Sequence, residues 1–138
     1  MPSAKNPERA VRLLIADDQR LFAESVRAVL TEDETVEVVG IAHNGAEAVE
    51  LAEALRPDVI LMDLRMPLMD GLEATRKIRE AGNDAQIMIL TGTESVGSED
   101  AAAAGASAFL RKEQSVEELR QVFFGVASLA AALGGSRN

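Results

Sequence analysis

Asp63 closes the apolar run Val59-Ile60-Leu61-Met62 and is followed by Leu64-Arg65-Met66-Pro67-Leu68-Met69-Asp70-Gly71. A short apolar run that ends in a carboxylate reads as a buried strand delivering one acid to the C-terminal edge of a sheet, where open α/β sheets bind ligands. Asp17 and Asp18 close a second run, Val11-Arg12-Leu13-Leu14-Ile15-Ala16. Three carboxylates at one edge repel one another unless a cation sits among them, and oxygen-only ligands suit Mg²⁺. A carboxylate oxygen can attack phosphorus when metal and cationic side chains absorb the charge, so the outline is a phosphoryl-transfer site with Asp63 as nucleophile. Pro67 and Gly71 shape the following loop, so that a backbone carbonyl near Arg65 can turn toward the metal. The plainer alternatives are helix caps: Asp63 on the next helix, and Asp17 or Asp18 on the helix after the first strand.

Two further strand ends carry polar groups. Thr91 ends Gln86-Ile87-Met88-Ile89-Leu90, and its hydroxyl can hydrogen-bond a phosphoryl oxygen, with Gly92 leaving the approach open. Lys112 ends Ala108-Phe109-Leu110-Arg111; its compact ammonium suits a phosphoryl group, and without one it would pair with Asp63. His43, the single histidine, stands before a helix start away from the acids and reads as a surface or capping residue. Met66 and Met69 read as loop packing. The glycines match neither G-x-x-x-x-G-K nor G-x-G-x-x-G.

These positions require strands at 11–16, 36–42, 58–62, 86–91 and 107–110, and helices at about 19–31, 44–55, 71–81, 96–104 and 115–132. Strict alternation of strand and helix predicts βαβ units and a parallel sheet covered on both faces. Asn44-Gly45 caps the second helix, Arg56-Pro57 ends it, Gly82-Asn83 stops the third, and Ser115-Val116-Glu117-Glu118 has capping-box spacing for the fifth. In that fifth helix Leu119, Val122, Phe123, Val126, Ala130 and Leu133 form an apolar stripe, with Phe124 off it and expected to be exposed. The fourth helix has a poor start and an all-alanine body, so it is expected to be short or mobile.

The 138 residues suffice for one domain with a proper core, divided here as a polar lead-in at 1–9, the domain at 10–133 and a tail at 134–138. The formal charge of −9 argues against binding nucleic acid or an anionic membrane, which demand clustered Lys and Arg. Without cysteine, disulfides, thiolate metal sites and thiol catalysis are excluded. No stretch approaches the ~20 apolar residues of a membrane span, and the N-terminus lacks an apolar signal core, so a cytoplasmic location is expected.

With these residues assembled, residues 11–132 resemble the receiver domain of bacterial two-component response regulators. The resemblance rests on Asp17-Asp18, Asp63 with Pro67 and Gly71, Thr91, and Lys112 preceded by Phe109. The stretches Leu14-Ile15-Ala16-Asp17-Asp18-Gln19 and Val39-Gly40-Ile41-Ala42-His43-Asn44-Gly45-Ala46-Glu47-Ala48 look most like the NarL/FixJ subfamily. The resemblance implies a flavodoxin-like, doubly wound five-stranded parallel sheet of order 2-1-3-4-5 with five helices. It implies that Asp63 takes a phosphoryl group from a phosphohistidine on a sensor histidine kinase, and that Asp17, Asp18, Asp63 and the Arg65 carbonyl hold Mg²⁺. Thr91 and Lys112 would bind the phosphoryl oxygens. Thr91 and Phe109 would act as the switch that remodels the face of the fourth helix, fifth strand and fifth helix toward a downstream protein or a second copy. Such a domain catalyses only its own phosphorylation and dephosphorylation.

Three departures from the family pattern bear on this. The interval from Thr91 to Gly105 is a residue short, Lys112 is followed by Glu113 where proline is common, and Phe109 lacks a tyrosine's hydroxyl. NarL/FixJ proteins usually continue into a helix-turn-helix domain of about 60 residues. A stand-alone receiver is the slightly favoured expectation here, with a receiver cut from a DNA-binding regulator as the alternative. Two other classes compete: a haloacid-dehalogenase-type phosphatase, disfavoured because Arg65 stands where its general acid belongs, and an unphosphorylated scaffold.

Overall fold

The computed structural model describes residues 10–92 and 97–134. Five strands and five helices alternate: β1 (Val11–Ala16), α1 (Arg20–Leu30), β2 (Val36–Ala42), α2 (Gly45–Leu55), β3 (Val59–Asp63), α3 (Gly71–Glu80), β4 (Gln86–Thr91), α4 (Ser98–Ala104), β5 (Ala108–Arg111) and α5 (Val116–Gly134). The strands form one sheet of order β2-β1-β3-β4-β5, all neighbouring pairs parallel. This is the doubly wound flavodoxin-like order that the family resemblance implies. One irregularity breaks the ladder: Leu13 pairs with Val38 but Leu14 with Gly40, so Val39 is an extra residue in β2.

Strand periodicity sorts the core into two layers. Leu13, Ile15, Val59, Leu61, Met88 and Leu90 face α1 and α5, meeting Ala23, Val26, Leu30, Leu119, Phe123 and Val126. Leu14, Ala16, Ile60, Met62, Ile87 and Ile89 face the opposite way, onto Ala48 and Ala52 of α2, Ala74 and Ile78 of α3, and Ala101 of α4. The small residues on α2, α3 and α4 let those helices lie close to the sheet. Phe124 corrects an expectation: it is half-buried against the first layer, with its ring centre 4.9 Å from that of Phe123 in an edge contact at 83°. It sits beside the stripe and packs on its neighbour's ring edge, a geometry that aromatic pairs favour.

The ends read from the sequence at Asn44, Arg56, Gly82 and Ser115 are present, and Asp70 adds a cap on α3 that the sequence reading did not name. Asn44 Oδ1 accepts from the Glu47 N–H at 2.7 Å, and Asp70 Oδ1 from the Glu73 N–H at 2.8 Å. Ser115 Oγ accepts from the Glu118 N–H at 3.1 Å. Arg56 leaves the right-handed region for φ 49°, ψ 61°, ending α2 before Pro57. After α3, Gly82 at φ 81° donates to the Arg79 carbonyl and Asn83 to that of Ile78, the two bonds of a Schellman motif. Helix α4 is short, at seven residues, and ends at Gly105 with φ 109°.

Candidate functional site

Parallel strands of one hand bring all their C-terminal ends to one edge, and four of the five supply the polar groups gathered there. Asp17 follows β1, Asp63 and Thr91 are the last residues of β3 and β4, and Lys112 follows β5. Asp17, Asp63 and Thr91 are buried; Asp18 is exposed. A ligating oxygen from each of Asp17, Asp18 and Asp63 lies within 4.8 Å of the others. Such an all-carboxylate set fits a hard divalent cation, with the exposed acid available for contact through water. Neither Asp17 nor Asp18 caps α1: Gln19 holds the N-cap position without a side-chain bond, and Asp17 Oδ1 instead accepts from the Gln19 N–H at 2.8 Å.

Lys112 supplies the cation. Its Nζ lies 3.0 Å from Asp17 Oδ2 and 3.4 Å from Asp63 Oδ2, so the nearer partner is Asp17 rather than the expected Asp63 alone. It also donates to Gln19 Oε1 at 3.0 Å and stands 4.4 Å from the centre of the Phe22 ring. The Lys112 N–H donates to the Thr91 carbonyl at 2.8 Å, which pins the ends of β4 and β5 together. One ammonium does not balance the acids. Burial, reinforced by the Asp17 charge and opposed by Lys112, pushes the Asp63 carboxyl up from 3.8 to about 6. A further cation among the three acids would relieve that cost.

The loop after β3 is folded tightly against Asp63. Met69 donates to the Pro67 carbonyl at 2.8 Å across Leu68, whose φ of 72° is the geometry of a γ-turn. Gly71 donates to the Leu64 carbonyl at 2.9 Å and begins α3 against the end of β3: a Cβ there would lie 2.1 Å from the Asp63 carbonyl oxygen. Arg65 is exposed at the rim of this loop, immediately after Leu64. Phe109 is half-buried against the second core layer, with the Arg111 guanidinium 5.6 Å from its ring centre. Thr93, which follows Thr91 by two positions as Arg65 follows Asp63, lies outside the described residues.

His43 takes no part in the acid cluster; its N–H donates to Glu47 Oε1 at 2.7 Å beside the α2 cap. Met66 and Met69 pack on the second core layer. Three contributors escaped the sequence reading. Gln19 and Phe22 touch Lys112, and their only local signal is the position just after the acids, three apart on one helical face. Gly45 was legible only as part of a cap, yet a Cβ there would meet the Met69 carbonyl oxygen at 2.0 Å, so α2 is wedged against the Asp63 loop.

Comparison with known proteins agrees on one family. The profile described as response regulator receiver domain matches residues 13–124. The response regulator MprA of Mycobacterium ulcerans is 42% identical over 112 residues, 80% of this chain and 47% of that protein. A protein-glutamate methylesterase/protein-glutamine glutaminase of Aliivibrio fischeri is 42% identical over 106 residues, 75% of this chain but 28% of that protein. The chain therefore spans less than half the length of these curated relatives. Among solved structures, the signal receiver domain of the response regulator NarL from Mycobacterium tuberculosis superposes with a TM-score of 0.82 at 33% identity, covering 87% of this chain and 98% of that one.

Proposed function

We propose that this chain, which belongs to the family of response regulator receiver domains of two-component systems, accepts a phosphoryl group on Asp63 and uses it to switch a partner-binding face. The observation that carries the reading is the Lys112 ammonium bridging Asp17 and Asp63 beside three convergent carboxylates. In the step, an Asp63 oxygen forms the new bond to phosphorus as the P–N bond of a phosphohistidine breaks, and the imidazole leaves with the electron pair and takes up a proton. The donor is a sensor histidine kinase in a phosphorelay, and the reaction takes place in the cytoplasm. Asp17, Asp18, Asp63 and the Arg65 carbonyl hold Mg²⁺, which supplies charge neutralisation at the transferring group.

Lys112 and Thr91 then bind the phosphoryl oxygens. The swap of one charge pattern for another biases a two-state element, with Thr91 and Phe109 carrying the change to the face of α4, β5 and α5. That face meets a downstream protein or a second copy of the chain. Catalysis is confined to the domain's own phosphorylation and dephosphorylation, and the net charge of −9 leaves nucleic acid to other partners. The side chain of Arg65, two positions past Asp63, tunes the lifetime of the phosphoryl group; Thr93, two positions past Thr91 in sequence, is assigned the same role from its spacing alone.

The test is intact-mass spectrometry after incubation with Mg²⁺ and acetyl phosphate. A metal-dependent phosphoryl adduct, absent from Asp63→Asn, is the expected result. Equal labelling of the variant removes Asp63 from the role; no adduct with any donor leaves a binding scaffold.

A further inference from the structure

Three oxygens and one ring surround the Lys112 ammonium, and only two of the four carry charge. Asp17 Oδ2 at 3.0 Å and Asp63 Oδ2 at 3.4 Å are the ionic partners. Gln19 Oε1 at 3.0 Å and the face of Phe22 at 4.4 Å are neutral. A divalent cation held by the three acids draws on the same Asp17 and Asp63 carboxylates that the ammonium now contacts. The neutral partners make no such demand.

We infer that Gln19 and Phe22 are positioning residues: they form a neutral perch that keeps the Lys112 ammonium beside Asp63 when a metal ion takes its carboxylate partners. The ammonium has three N–H donors and no acceptor, so an amide oxygen fills one of them whatever the acids are doing. A ring face attracts the cation from the remaining side. Gln19 contributes twice, because its backbone N–H holds Asp17 Oδ1 at 2.8 Å and so turns Oδ2 toward the site. There is room for the shift, since Phe22 and Lys112 line a common cavity of about 100 Å³ with Val26, Leu90 and Leu110. The lysine can therefore yield its carboxylates without displacing β5.

In the metal-free protein the perch is one holder among several; with metal bound it is the main one. Its loss therefore weakens metal binding, and only while Lys112 is present. This rests on the reading of Asp17, Asp18 and Asp63 as a Mg²⁺ site. Mg²⁺ affinity is measured by isothermal titration calorimetry for the intact chain, Gln19→Ala, Lys112→Ala and the double variant. Gln19 is exposed and its backbone bond survives the change, so Gln19→Ala folds normally.

Gln19→Ala is expected to weaken Mg²⁺ binding about threefold, an amount typical of one modest contact, and to have no effect in the Lys112→Ala background. Phe22→Leu weakens it similarly, and Phe22→Tyr, which keeps the ring, restores it. An unchanged affinity in Gln19→Ala, or an equal loss with and without Lys112, overturns the inference while leaving the metal site standing. Absence of Mg²⁺ binding by the unaltered chain overturns the metal site itself.

Discussion

Replacing Asp63 by Asn should stabilise the metal-free protein, and by an amount that depends on pH in a defined way. The folded chain raises the Asp63 carboxyl from 3.8 to about 6, chiefly through burial and then through the Asp17 charge. A rise of a little over two decades in proton affinity means that the ionised acid costs the fold about 3 kcal/mol. Because the folded-state value is the higher one, the stability associated with the neutral acid is complete below about pH 4 and is lost as pH rises through about 6. Asparagine has the shape of the neutral acid at every pH. In EDTA the variant should thus match the unaltered chain near pH 4, draw ahead between pH 4 and 6, and lead by about 3 kcal/mol at pH 8. The chain has no Trp or Tyr, so urea unfolding is followed by far-ultraviolet circular dichroism. Mg²⁺ at a hundred times its dissociation constant should then stabilise the unaltered chain by about 2.7 kcal/mol and the variant by much less. A variant no more stable at pH 8, or a gap independent of pH, would refute the claim that Asp63 is held ionised at a cost.

Other outcomes follow from single contacts. Gly71→Ala places a methyl 2.1 Å from the Asp63 carbonyl oxygen, where only backbone can give way. It should cost about 3 kcal/mol or more in urea unfolding and lower Mg²⁺ affinity as the loop moves. Asn44→Ala removes the oxygen that accepts from Glu47 N–H at 2.7 Å; a loss of about 1 kcal/mol is expected, with Mg²⁺ affinity unchanged.

Much of this was readable from sequence because the fold repeats one local event. Each apolar run ends where a polar residue begins, so Asp17, Asp63, Thr91 and Lys112 are assigned to one edge by the pattern alone. Observed strand bounds differ from the expected ones by at most a residue, as at β3, where Asp63 belongs to the strand. What escaped was tertiary. That Lys112 leans more on Asp17 than on Asp63, and also on Gln19, depends on how far α1 lies from β5. No periodicity within one segment encodes such a distance. Gly45 is similar: as a cap residue it is local, but its closeness to Met69 joins two loops 24 positions apart. Phe124 was misplaced because a helical stripe ranks residues by angle and ignores the width of a neighbouring ring.

The two close glycine contacts also make the site mechanically lopsided. On the α2 and α3 side, backbone meets backbone with no side chain between, at Gly45 against Met69 and at Gly71 against Asp63. Such contacts have almost no compliance. Further along the same face, toward β5, stands α4, seven residues long, with Ala101 and Ala104 as its buried residues. A methyl-sized anchor resists sliding far less than an interlocked leucine or phenylalanine would. A push originating at Asp63 thus meets a stiff wall in one direction and a soft spring in the other. The anisotropy belongs to the packing itself, whatever binds at the strand ends.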